Sequence, residues 1–147
     1  MITDHVSDIE LVERFPDVTI TYDNKELYRG WLEQELLINR CDGCGTWHSP
    51  PKPLCPACWS FDITPTAVSG RGAVYFFMLL HQGPPAPDVD YSKPYPVVTV
   101  ELVEQPGLRY SSTIVDCAPE ELKIGLDVEL DWIERYDAPF PVFRPAR

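Results

Sequence analysis

The 147-residue chain carries 23 acidic and 12 basic side chains, a formal net charge of −11, which excludes general affinity for nucleic-acid phosphates or anionic membrane surfaces. An apolar fraction of 44% excludes a disordered chain, and no stretch approaches the ~20 apolar residues of a membrane span. The start, MITDHVSDIE, has neither the basic nor the apolar region of a secretory signal, so a cytoplasmic protein of one domain, or a small domain with an appendage, is expected.

Residues 1–40 are acidic and helix-prone, with nine acidic against four basic side chains. Ser7 followed by Glu10 fits a capping box and predicts a helix over 7–14, ended by Phe15-Pro16. Asp23 reads as the N-cap of a second helix over 24–34, whose Leu27, Tyr28, Trp31 and Leu32 share one face. Gly30 inside that helix costs roughly 1 kcal/mol relative to Ala. Leu36-Leu37-Ile38 reads as a short strand.

The next segment, 41–60, is a cysteine island, CDGCGTWHSPPKPLCPACWS, with too much proline for a long regular element. Strands follow. The run 73–80 (AVYFFMLL) is apolar on both faces, so one face fills a core and the other needs cover. Residues 97–103 alternate in polarity. Pro106-Gly107 carries the type II turn signal that joins them to a strand over 108–115. Val128, Leu130 and Trp132 alternate with Glu129 and Asp131 in a last long strand. Pro119-Glu120-Glu121 suits a very short helix closed by Gly125. With a first strand near 63–70, these make five.

The fold expected is mainly β with N-terminal helices: a rubredoxin-like zinc ribbon followed by a five-stranded OB-fold barrel. Its parts are a helical segment (1–40), the ribbon (41–62), the barrel (63–137) and an extended C-terminal arm (138–147). The arm, APFPVFRPAR, separates Phe140 and Phe143 with prolines, which predicts neither a strand interior nor a helix but a disordered end or an arm lying on a partner. The loop 82–96 holds five prolines and is long enough to expect a function, docking being the one it suits.

Five cysteines without a secretory signal point to metal or chemistry, not to a disulfide scaffold. Cys41-x2-Cys44 and Cys55-x2-Cys58, ten residues apart, can place four thiolates around one zinc ion at about 2.3 Å. Iron is the alternative, because CxxCG and CPxC resemble rubredoxin knuckles; Trp59 stands where a second Gly would be, and the intervening segment is short. Zinc is favoured. Four cysteine ligands leave no open position, so the ion is structural, one per chain. Cys117 has no partner and reads as a small buried apolar residue. Trp47 and His48 follow the first knuckle and read as packing or surface residues, since the ligand set is already full. His81, at the end of the apolar strand, caps it or meets a ligand, and His5 lies near the start.

Nothing marks an independent enzyme: there is no GxSxG elbow, no Gly-rich phosphate loop and no HExxH, and no catalytic residue is assigned.

The order helix, four-cysteine ribbon, barrel carries the wording LLINRCDGCGTWHSPPKPLCPACWS, GRGAVYFF and IVDCAPEELKIGLDVEL. With it, the chain resembles the acyl-CoA-associated zinc-ribbon/OB-fold proteins over about residues 22–137. The resemblance implies a non-catalytic subunit in a hetero-oligomer with a thiolase-superfamily protein. The partner carries the Cys or Tyr/His chemistry, and this chain completes or gates the acyl-CoA site at or near the interface. Retro-aldol or thiolytic C–C cleavage of a CoA thioester, such as a steroid side chain, is the reaction class implied. Cys41, Cys44, Cys55 and Cys58 match the family's zinc ligands. Lys52, Arg71 and Lys93 are the only basic residues in 41–100, so any CoA-phosphate contact from that region falls to them. Two other functions compete. A nucleic-acid-binding ribbon/OB module would use Tyr75, Phe76 and Phe77 with Arg71, against the net charge. A free-standing thioesterase or acyl carrier would have to act alone.

Overall fold

The computed structural model describes residues 6–86 and 89–147; His5 lies outside them. Helix α1 (Asp8–Arg14) starts where the capping signal places it, with the Ser7 hydroxyl accepting the Glu10 N–H at 3.2 Å. Helix α2 (Lys25–Leu32) is shorter than expected and its N-cap is Asn24, not Asp23. The Asn24 side chain accepts from the Thr21 N–H at 2.7 Å and donates to the Thr19 carbonyl at 3.0 Å, so it ties the incoming turn. Gly30 is the point of closest approach: a Cβ there would sit 2.8 Å from both the Glu35 carbonyl and the Leu37 side chain. The helix cost of that glycine is what allows the chain to fold back over α2. Asp8 joins the helices, accepting from Lys25 at 3.2 Å and from Arg29. Those hydrogen bonds, Arg29's first, hold its carboxyl below the ordinary range.

Strand β1 (Leu37–Cys41) is the centre of a three-stranded antiparallel ribbon sheet, flanked by β2 (Trp47–His48) and β3 (Ile63–Ala67). β3 corrects an expectation. The strand near 63–70 does not enter the barrel; it pairs with β1 from Leu37↔Ala67 to Cys41↔Ile63. The pairing runs on through the Val68 N–H to the Leu36 carbonyl, and only Gly70, at φ +81°, turns the chain into the barrel.

The barrel consists of β4 (Arg71–Leu80), β5 (Tyr95–Leu102), β6 (Arg109–Ser112), β7 (Asp127–Arg135) and β8 (Ala138–Pro145), in the order β6-β5-β4-β7-β8. The fifth strand is therefore the C-terminal segment expected to be an unpaired arm. It pairs with β7 from Val128↔Pro145 to Arg135↔Ala138. The prolines are tolerated because of their parity. Phe143, on the same parity as Pro139, Pro141 and Pro145, directs its N–H away from β7 to the Thr113 carbonyl at 3.0 Å. The missing proline donors thus face the side of β8 that needs no ladder to β7. The Val115 N–H returns to the Phe143 carbonyl at 2.8 Å, and this parallel contact closes the barrel.

Pro106-Gly107 forms the expected turn, with Gly107 at φ +81° and the Leu108 N–H bonded to the Gln105 carbonyl. Residues 119–121 form a turn and not a helix. Leu122 is drawn into the core and the Gly125 N–H is tied to the Val74 carbonyl at 2.8 Å, leaving no length for a helical run.

One core serves ribbon and barrel together. Leu36, Ile38 and Trp47 of the ribbon pack with Val74, Val98, Val100, Leu102, Val128 and Phe143. A β-bulge at Tyr75, between the pairs Val74↔Val100 and Phe76↔Thr99, reverses the facing of β4. A second cluster, Leu11, Phe15 and Ala138 with Tyr28 and Trp31, docks the helices on β8; Trp31 meets Phe140 edge-on at 5.6 Å. No helix among the described residues is long and apolar enough to cross a membrane.

Candidate metal centre and surrounding surfaces

The two cysteine knuckles have the same backbone wiring. The Cys41 N–H bonds the Thr46 carbonyl and the Gly45 N–H returns to the Cys41 carbonyl; Cys55–Ser60 and Trp59–Cys55 repeat both bonds, all at 2.9 Å. The repeat requires left-handed backbone at equivalent places, Gly45 at φ +74° and Trp59 at φ +65°. Gly45 adopts it freely, whereas Trp59 bears a steric cost and leaves its ring 76% exposed.

All four sulfurs lie within 4.8 Å of one another, with Cys41–Cys58 and Cys44–Cys55 each 3.6 Å apart. A tetrahedral zinc with bonds of about 2.3 Å separates its sulfurs by about 3.8 Å. The cluster fits such an ion. The Cys44 N–H points at Cys41 Sγ (3.5 Å) and the Ala57 N–H at Cys55 Sγ (3.4 Å), donors that stabilise thiolates. Thr46, through its hydroxyl at 3.1 Å and its main chain, holds the Cys44 thiol down to about 6. At Cys58 the Ser60 main chain favours the thiolate, but the neighbouring sulfurs of Cys41 and Cys44 push it up to about 12. Four thiolates this close repel one another until a cation is shared between them. His48 is not among the clustered ligands; it is buried on β2. Thr46 is a contributor that sequence reasoning missed, although its place two residues after Cys44 was a signal.

The ribbon is clamped to the barrel by Gln105, at the β5–β6 turn. Its side chain accepts from the Trp47 N–H and donates to the Trp47 carbonyl, both at 3.0 Å, replacing the strand partner that β2 lacks.

Lys52, Arg71 and Lys93 are all exposed, Arg71 at the start of β4 and the two lysines in loops. Lys52 lines a groove of about 380 Å³ with Tyr22, Lys25 and Phe61. His81 is exposed just past the end of β4, and Cys117 is partly buried against the core. The apolar run on β4 behaves as its sequence implies: Val74 and Phe77 pack on the core, while Tyr75, Phe76, Met78 and Leu79 are each more than 40% exposed. Arg109 covers the Tyr75 ring at 3.7 Å.

A four-cysteine ribbon joined through a common core to a closed five-stranded barrel defines the class of protein. Two family profiles match in that order, the rubredoxin-like zinc ribbon domain of ChsH2 over residues 29–64 and the ChsH2 C-terminal OB-fold domain over 65–132. The chain belongs to this ChsH2 family of zinc-ribbon/OB-fold proteins.

It is 39% identical over 132 residues to a probable enoyl-CoA hydratase alpha subunit of Thermomonospora curvata, covering 89% of this chain but 40% of that protein. The chain thus spans less than half the length of that relative. It is 36% identical over 111 residues to a DUF35 domain-containing scaffold protein of Methanocaldococcus jannaschii, covering 72% of this chain and 76% of the relative. Among solved structures, a chain of an Ltp2-ChsH2(DUF35) aldolase superimposes with a TM-score of 0.78 at 39% identity, over 88% of this chain and 99% of that one. A DUF35-family protein of unknown function from Sulfolobus solfataricus shares the fold at 11% identity and a TM-score of 0.58.

Proposed function

We propose that the chain is the non-catalytic subunit of an acyl-CoA lyase complex, bound to a thiolase-superfamily partner whose acyl-CoA site it helps to form. The observation that carries this reading is the 39% identity to a chain of an Ltp2-ChsH2(DUF35) aldolase, over 88% of this chain and 99% of that one. The exposed Phe76 and Met78, which share one face of β4 beyond the bulge, support it, since apolar surface on an otherwise acidic chain fits a partner interface. The reaction is C–C cleavage of a CoA thioester, by retro-aldol or thiolysis, with a steroid side chain as the substrate class and the cytoplasm as the compartment. Zinc is the ion we assign to Cys41, Cys44, Cys55 and Cys58, in a structural role.

CoA phosphates are polyanionic and this chain is strongly acidic too, so the partner holds most of that charge. Lys52 is the first contact we assign to this chain; its groove also holds Lys25, with the carboxylates of Asp23 and Glu26 beside it. Arg71 and Lys93 are assigned as separate, outlying contacts. Co-expression with a thiolase-superfamily protein tests the reading. A stoichiometric complex is expected, with acyl-CoA cleavage absent from the isolated chain, and Met78→Asp releases the partner while the chain remains folded. A monodisperse monomer that ignores such partners overturns the proposal.

A further inference from the structure

A cavity of about 200 Å³ lies between α2 and the ribbon sheet, and none of its lining residues is a cysteine. Its floor is polar. Asn39 and His48 face one another across β1 and β2, so their side chains share one face of the sheet. Both are more than nine-tenths buried, at 4% and 7% exposure. Asn39 Oδ1 and both ring nitrogens of His48 have no hydrogen-bond partner. Buried polar groups are seldom left this way, because each loses its bonds to water without replacement.

The donor set is defined. Burial favours the neutral imidazole; the Lys52 main chain pulls the other way, at a geometry short of a hydrogen bond. A neutral ring offers one N–H donor and one bare nitrogen acceptor. Tyr110 also lines the cavity, and burial holds its ionisation above the ordinary value, so it keeps its proton. The walls are mostly apolar (Leu27, Trp31, Leu37 and Pro50), with Asn24, Tyr28 and Ser49 also on the lining, and among the described residues no lysine, arginine or carboxylate lines the space.

These groups exclude most occupants. A carboxylate finds no cation and an ammonium no anion, while a hydrocarbon leaves the three orphaned atoms as they are. Water can bond the floor but gives the apolar walls no contact, and the space is several times the ~30 Å³ of one water molecule. An occupant with both a C=O and an N–H on a small apolar body bonds Asn39 Oδ1 and one ring nitrogen of His48 while it contacts the walls.

We propose that the Asn39–His48 cavity is a binding site for an uncharged carboxamide, whose N–H donates to Asn39 Oδ1 and whose carbonyl accepts from His48. A free small-molecule amide and an Asn or Gln side chain of a partner supply the same chemistry.

The full chain, alone, is titrated with propionamide, propionate and propylamine while the side-chain resonances of His48 and Asn39 are followed by NMR. Only propionamide is expected to shift them saturably, with Kd on the order of 1–10 mM for so few heavy atoms. Asn39→Leu and His48→Phe each weaken binding about tenfold or more, the loss of one hydrogen bond. Should either variant fail to fold, a crystal of the unmodified chain soaked in propionamide reads the same contacts directly. Equal response to all three probes, no response, or a soaked structure in which Asn39 and His48 bond only water or each other overturns the proposal. Repeating the titration on the partner complex separates the sources: a blocked site assigns a partner's side chain, and a retained site assigns a free amide. Because the titration needs no partner, its failure leaves the reading of the chain as a complex subunit standing.

Discussion

The ribbon and the barrel hold short strands in register by different physics. The ribbon sheet has strands of five, two and five residues, and its knuckles bury few side chains beyond Cys41 and Cys55. Its order depends on four sulfurs meeting at one point. The barrel has strands of four to ten residues around a core of valines, leucines and Phe143, and each such side chain contributes roughly 1.5–3 kcal/mol when fully buried. One region is organised by a single strong centre and the other by many weak contacts. They meet in a shared core at Leu36, Ile38 and Trp47, and at the Gln105 clamp.

Removing the centre is the harshest test of that contrast. A chelator, or Cys55→Ser, is expected to remove on the order of 10 kcal/mol of ribbon folding free energy. Hydrogen exchange should show β1–β3 losing protection while β4–β8 keep theirs; simultaneous loss of both refutes the division. Metal analysis of the untreated chain should return one zinc per chain, and the visible absorption of an iron–thiolate centre would reject the assignment.

Phe143→Ala strikes the barrel at its closing contact and is expected to cost about 3–5 kcal/mol, read as a lower denaturation midpoint. A negligible change would mean that β8 is dispensable to closure.

The two knuckles allow a finer comparison. Trp59→Gly relieves left-handed backbone and should stabilise the metal-loaded chain by about 1 kcal/mol, whereas Gly45→Ala destabilises it by a similar amount. Equal responses would show that Trp59 is held by something other than the local turn.

The smallest effect concerns His48, whose folded-state pKa burial lowers. A base depressed in the fold contributes stability that is complete above its unfolded value of about 6.5. That stability falls as pH drops from there through the folded pKa, because the unfolded chain then binds the extra proton. Wild type should therefore lose stability relative to His48→Gln over that interval, and parallel pH profiles would contradict it.

Local patterns were legible without coordinates. The Ser7 cap, the Pro106-Gly107 turn, the β4 run and the paired CxxC knuckles each declare themselves within a few residues. What was not legible rests on distant partners. Residues 63–67 carry no mark saying whether β1 or the barrel will claim them. Asn39 and Tyr110 attracted no notice, because the cavity they line is made by α2, β1, β2 and β6 together. The tail departs from its local pattern for a definite reason. Proline counts argue against a strand, but proline parity decides, and parity has meaning only once the neighbouring strand is known.

The amino-acid sequence by itself determined the four-cysteine metal-binding ribbon, the β-rich class and the family, since these depend on residue identity at short spacings. Tertiary structure decided which strands close the barrel, that ribbon and barrel share a core, and where buried polar groups were left without partners. Those outcomes depend on sulfurs, strand edges and side chains brought together across tens of residues, where no local pattern constrains the pairing.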